Sequence, residues 1–259
     1  MSAQTPLLFL LGAGSLFTLW WYGRFLSAYS NGSGQKISVS SFKTSDALIA
    51  AFLTIWFLYS AVQGFQHSSE VNLQIIIAGT AIYSAAILLL IGFQIFVDVN
   101  PIALYGLKIF KPLQALGCLL ALLPLIYFLQ IISGYFLKKY VIPQGIVTFI
   151  THHHEPRTLI IIGISIVIIA PIAEELIFRG FLYGVFSRYL GRWPGLLVSA
   201  FIFAAIHAHL PAFLPLFILA VFLTFAYERS GSLWTPILMH SGFNALNFAM
   251  ILCFPELAQ

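Results

Sequence analysis

Long apolar runs follow one another along this chain with only short polar gaps, and few folds accommodate that pattern. A helix that crosses a bilayer needs roughly 20 mostly apolar residues. By that measure the sequence predicts spans at Leu7–Ser27, Ala47–Gly64, Leu73–Val97, Pro112–Leu137, Thr158–Phe186, Pro194–Ala208, Pro211–Tyr227 and Leu233–Phe254. Charge content points the same way. Only 8% of the 259 residues are charged. A soluble domain carries about 25%, so these polar groups are too few to cover a globular surface. The expected fold is all-α: a polytopic membrane helical bundle of about eight transmembrane helices.

The sixth and seventh runs are the shortest, and a fifteen-residue helix reaches only ~22 Å of a ~30 Å hydrocarbon core. Pro211 and Pro215 break the seventh. Such pieces are tolerated where protein or a water-filled cavity shelters their ends, so a cavity is expected in the C-terminal half. Asn31–Ser45, rich in Ser and Gly, reads as a loop. Asp98–Lys111 repeats Leu104, Leu107 and Phe110 at helical spacing and reads as a segment lying on the membrane surface. The first apolar run lacks a basic leader and a small-residue cleavage site, so it is expected to be retained. Cys118 and Cys253 fall inside apolar runs, which suggests buried reduced thiols. Trp20, Trp21, Trp193 and Trp234 lie near span ends as interfacial anchors, and Trp56 reads as mid-span packing.

The net charge is +4, but Lys and Arg are scattered between apolar runs, which argues against a nucleic-acid partner. If the spans alternate, Arg24, Lys36, Lys43, Lys108, Lys111, Arg188, Arg192 and Arg229 share one side. Lys138, Lys139 and Arg157 fall on the other. The basic excess places the first group in the cytoplasm and both termini outside.

Ionisable side chains inside a span cost ~2.5–3.5 kcal/mol on insertion scales and therefore mark sites. The first four spans carry almost none, whereas the last four hold Glu174, Glu175, Arg179, His207 and His240, with Asn244 and Asn247 beside them. Glu175 and Arg179 stand four apart, in the favourable orientation for a helical ion pair. Glu174 is turned about 100° away on the helical wheel and is left without a local cation. An unpaired carboxylate in apolar surroundings suits a general base near neutral pH. The alternative is one buried salt-bridge cluster of all three residues that holds the bundle together. His207 follows Phe203 by four residues and His240 precedes Asn244 by four, so each pair shares a helix face. Together the set supplies a base, a second proton-handling group and donors for an oxyanion.

The order Glu-Glu-x-x-x-Arg, Phe-x-x-x-His, His-x-x-x-Asn on successive apolar segments resembles the CAAX-processing/bacteriocin-processing (CPBP) family. That family includes the Rce1-type CAAX proteases and the bacterial Abi-type proteins. All three motifs are intact: Glu174, Glu175 and Arg179; Phe203 and His207; His240 and Asn244. The resemblance divides the chain into accessory helices at 1–157 and a catalytic helical core at 158–259. It implies that Glu174, assisted by His207, activates a water while His240 and Asn244 hold the oxyanion. Glu175, Arg179 and Phe203 then support the site. The family is often labelled a metalloprotease, and Glu174, His207 and His240 would serve as a zinc set. No His-Glu-x-x-His is present, and Asn244 is a poor zinc ligand but a good oxyanion donor, which favours a mechanism with no metal and no cofactor.

Other features carry less. His152, His153 and His154 beside Glu155 read as a solvated loop rather than a metal tract, and His67 as a loop residue. His209 is expected at a helix end, and Asp46 at the start of the second helix as a cap. The expectation is an intramembrane endopeptidase of a prokaryotic inner membrane, acting on a peptide or membrane-protein substrate, lipidated substrates included. A non-catalytic membrane chaperone, immunity factor or regulator is the alternative. A transporter is disfavoured because the polar residues occupy one half without repeat symmetry.

Overall fold

The computed structural model describes residues 4–28, 41–66, 71–140 and 145–255. His67 and most of the loop read at Asn31–Ser45 lie outside the described residues. Among the described residues every regular element is a helix. Six are long and apolar enough to cross a membrane. They are α2 (Thr44–Gln66), α3 (Leu73–Phe96), α5 (Pro112–Phe136), the long helix Pro156–Leu190, α11 (Leu210–Ser230) and α12 (Trp234–Cys253). α1 (Gln4–Ala28) adds a further 25-residue helix. The chain is thus a polytopic helical bundle.

Two of the expected spans take a different form. Pro194–Ala208 becomes α10 (Arg192–Ala205), which at 14 residues is too short to span alone. The seventh run is not broken. α11 holds 21 residues because Pro211 sits in its first turn, where the missing N–H is no loss, and Pro215 lies one turn further on.

The centre of the bundle is α5, packed against α1, α11 and α12. From α1, Tyr22 donates to the Cys118 carbonyl at 2.9 Å and Thr18 to the Ala121 carbonyl. These bonds matter because a hydroxyl in hydrocarbon needs a partner. Cys118 is buried as expected, but Cys253 is exposed near the end of α12. Trp56 also departs from expectation. It faces outward on α2, where lipid rather than protein solvates it.

Residues 98–111 are not an amphipathic surface helix. They form one turn, α4 (Pro101–Leu104), capped by Asn100, and then fold onto the α11–α12 connection. Leu233 N–H donates to the Tyr105 carbonyl at 3.0 Å and Trp234 Nε1 to the Leu107 carbonyl at 3.0 Å. Gly106 makes this approach possible. Its φ is +64°, and a β-carbon there would lie 1.8 Å from the Gly231 carbonyl oxygen. At the opening of α2, Asp46 Oδ2 accepts the Lys43 N–H at 2.6 Å, which is the capping role read from the sequence.

The long helix Pro156–Leu190 is built from α7 (Pro156–Gly163), α8 (Ala170–Glu175) and α9 (Tyr183–Leu190), joined by two π-helical turns at Ile164–Ile169 and Leu176–Leu182. Such turns are rare and widen the helix locally. Both glutamates of the motif lie between them. Each turn is tied to a neighbouring helix by a side chain. Ser199 of α10 donates to the Phe178 carbonyl at 2.9 Å, and Asn244 of α12 donates to the Ile166 carbonyl at 2.8 Å.

Candidate active site

Glu174 and Glu175 end α8, and the bundle encloses both. Glu175 is fully buried. One of its oxygens, Oε1, accepts from Arg179 Nη1 at 2.8 Å and from His240 Nδ1 at 2.8 Å. A carboxylate beside a guanidinium accepts and does not donate, so the His240 proton is assigned to Nδ1. The helical pair read from spacing is present, and α12 joins it through the histidine.

Glu174 is not isolated. Tyr83 of α3 donates its hydroxyl to Oε1 at 3.1 Å, and Oε2 lies 3.8 Å from His240 Nε2. The two carboxyls therefore grip opposite nitrogens of one imidazole, Glu175 by a hydrogen bond and Glu174 across a wider gap. The alternative of one cluster in which Arg179 also pairs with Glu174 is not seen among the ion pairs of the described residues.

Phe203 of α10 lies under this group. The Arg179 guanidinium stands 4.3 Å over its ring, and its ring centre is 5.7 Å from that of His240 and 5.0 Å from that of His207. A cation over an aromatic face in apolar surroundings is held by the ring quadrupole. His207 itself is not on a helix. α10 ends at Ala205, and His207 occupies the turn before α11, exposed at the surface of the bundle. Its Nδ1 donates back to the Phe203 carbonyl at 2.7 Å, which leaves Nε2 as an acceptor in the neutral ring. The next residue, Ala208, has φ +47°, a conformation costly for a residue with a β-carbon. His209 lies at the start of α11, as its helix-end reading required.

Asn244 shares a face with His240 but turns its amide to the Ile166 carbonyl. The reason lies in the π turn. Ala170 N–H bonds to the Ser165 carbonyl, and Pro171 has no N–H to offer. Ile166 is thereby deprived of both its fourth and fifth downstream donors, and Asn244 replaces them. The second hydrogen on Nδ2 remains for another acceptor.

The other polar residues stand apart. His152 and His153 turn their Nδ1 atoms to the carbonyls of Thr148 and Phe149 at the end of α6 (Gly145–His152). Among the described residues, no three His, Cys, Asp or Glu side chains gather closely enough to hold a metal ion. The alternative reading of Glu174, His207 and His240 as a zinc set therefore has no such group behind it among the described residues. Sequence reasoning missed Tyr83, and also Glu228 near the end of α11. Glu228 takes two bonds from Arg192 at 2.8 Å and one from Tyr183, a pairing of α11 with α9 and α10. A lone acid late in an apolar run was the available signal for Glu228. Tyr83 had none.

Fold and site define a multi-pass integral membrane protein with a buried carboxylate–histidine centre. Residues 156–246 match the family model described as type II CAAX prenyl endopeptidase Rce1-like. The resemblance carried by the three motifs is thereby shown for the segment that holds them, about a third of the chain. An uncharacterized 24.3 kDa protein of Escherichia coli is 38% identical over 82 residues, covering 30% of this chain and 38% of that protein. UPF0177 protein YaiF of Lactococcus lactis subsp. lactis (strain IL1403) is 37% identical over 89 residues, covering 33% of this chain and 38% of its own. UPF0177 protein YbdI of the same strain is 33% identical over 84 residues, covering 32% and 45%. The match spans less than half the length of each relative. No solved structure matches the chain.

Proposed function

We propose that this protein is an intramembrane endopeptidase that hydrolyses a peptide bond near a membrane surface. The observation that carries the reading is the pairing of Glu174 Oε2 with His240 Nε2, 3.8 Å apart, inside the Rce1-like segment. Glu174 Oε2 takes a proton from a water, and the hydroxide attacks the scissile carbonyl. Its oxygen gains a negative charge as the tetrahedral intermediate forms. The proton held by Glu174 then passes to the leaving amine as the C–N bond breaks.

His240 is the proposed oxyanion partner: its Nδ1 is committed to Glu175 while Nε2 faces Glu174 Oε2, so the role of donor requires a proton on Nε2. The remaining Nδ2 hydrogen of Asn244 is the second donor. His207, exposed and with Nε2 left as an acceptor, orients the water or the arriving peptide at the open side. The location proposed is a prokaryotic inner (cytoplasmic) membrane, and lipidated tails of the CAAX type are among the candidate substrates.

The test compares membrane peptides, by mass spectrometry, from cells carrying wild-type and Glu174→Gln protein. Peptides cut only by the wild type are expected. Identical peptide pools would leave the chain a non-catalytic binding or regulatory protein. Metal analysis of the same preparations separates a zinc-dependent version from the one proposed.

A further inference from the structure

The helices before residue 156 lie outside the family match, yet one of them reaches the reactive carboxylate. α3 turns a single stripe inward. Ile76, Thr80, Tyr83, Ile87 and Gln94 recur at helical spacing and are partly or fully buried, while Ile75, Ile77, Ile82, Leu88, Leu89, Ile95 and Phe96 face outward. Two polar groups on that stripe touch the long helix. Thr80 Oγ1 donates to Ser165 Oγ at 2.9 Å, and Tyr83 OH donates to Glu174 Oε1 at 3.1 Å.

From this arrangement we infer that Tyr83 is a positioning residue of the active site. The inference rests on Glu174 as the base. A carboxylate has two oxygens and rotates about its last bond unless something holds it. Tyr83 holds Oε1, and that contact turns Oε2 toward His240 Nε2. A phenol suits the task because its ring packs among apolar neighbours while its hydroxyl, in hydrocarbon, has a strong need for a partner. Without it, Oε1 and Oε2 exchange, and the base no longer keeps a fixed lone pair on the water. Misplacement of about 1 Å costs roughly 100-fold in rate. The N-terminal helices therefore supply part of the site as well as its casing.

The test has two arms, both using full-length protein in detergent or vesicles. In the first, infrared difference spectra of wild type minus Glu174→Gln isolate the Glu174 carboxylate bands, and the same difference is taken in a Tyr83→Phe background. A displaced band in that background is expected, since the carboxylate loses a donor. Superimposable difference spectra would overturn the proposal. This arm needs no substrate, so it stands even if Glu174 proves non-catalytic. In the second, the peptide whose cleavage distinguishes wild type from Glu174→Gln serves as probe. Tyr83→Phe should lower kcat roughly 10- to 100-fold with KM unchanged. Thr80→Val, which breaks only the other α3 contact, should leave kcat and the Glu174 band as in the wild type. Wild-type kcat in Tyr83→Phe, or equal losses in both variants, would reduce α3 to a packing element.

Discussion

Asn244 donates 2.8 Å across to the carbonyl of Ile166, a backbone acceptor orphaned by the proline five residues further along. The same amide that the motif assigns to an oxyanion is thus also a bolt between α12 and the π turn ahead of Glu174. Asn244→Ala should therefore lose stability as well as rate, by about 1–3 kcal/mol for a stranded buried acceptor. Thermal unfolding in detergent measures the first loss and peptide cleavage the second. An inactive variant with wild-type unfolding would show that the bond to Ile166 contributes little.

The two carboxylates should separate cleanly. Glu174→Gln is expected to abolish cleavage with normal yield, because the amide keeps the shape and removes the base. Glu175→Gln or Arg179→Ala breaks a fully buried pair and leaves a charge uncompensated, a loss of about 3–5 kcal/mol. Yield and unfolding temperature after membrane extraction are the measurements. Normal folding in all three variants would contradict this division.

Metal content is a direct reading of the mechanism. Purified protein should contain well under one equivalent of zinc and keep its activity in chelator. Stoichiometric zinc that disappears in His207→Ala and His240→Ala would leave a protease but replace the water-activating step.

Away from the centre, Gly180 lies under the ring of buried Tyr105. A β-carbon at this position would come within 3.0 Å of Cε1 and 3.1 Å of Cδ1. Gly180→Ala should force the ring aside and destabilise the protein by about 1–3 kcal/mol, the usual range for overpacking. Wild-type unfolding of this variant would mean that residues 105–111 move freely from the long helix.

The helical bundle was legible because long apolar runs with few charges have little else to form. The Glu175–Arg179 pair was legible because four residues fix a helical contact without reference to anything distant. What the sequence concealed was whatever depends on helices meeting. Tyr83 is an ordinary aromatic in an apolar run until α3 is laid beside α8. The π turns were hidden for a related reason. The predicted span Thr158–Phe186 runs straight through Pro171, and only the backbone bonds reveal the widened turn just ahead of it. His207 was placed on a helix face, but α10 ends two residues before it, and the imidazole caps that end instead.

The long helix that carries Glu174 runs for 35 residues without a break. At ~1.5 Å per residue it approaches 52 Å, far more than the ~30 Å core of a bilayer. It must lean or stand proud of the lipid, and each ångström of mismatch costs a fraction of a kcal/mol. Glu174 lies close to its midpoint, so leaning swings the ends while the carboxylate stays near one depth. A substrate helix anchored by its own headgroup contacts has no such pivot. Acyl-chain length would then select which of its peptide bonds comes level with the carboxylate, and one protein would cut at different places in thin and thick membranes.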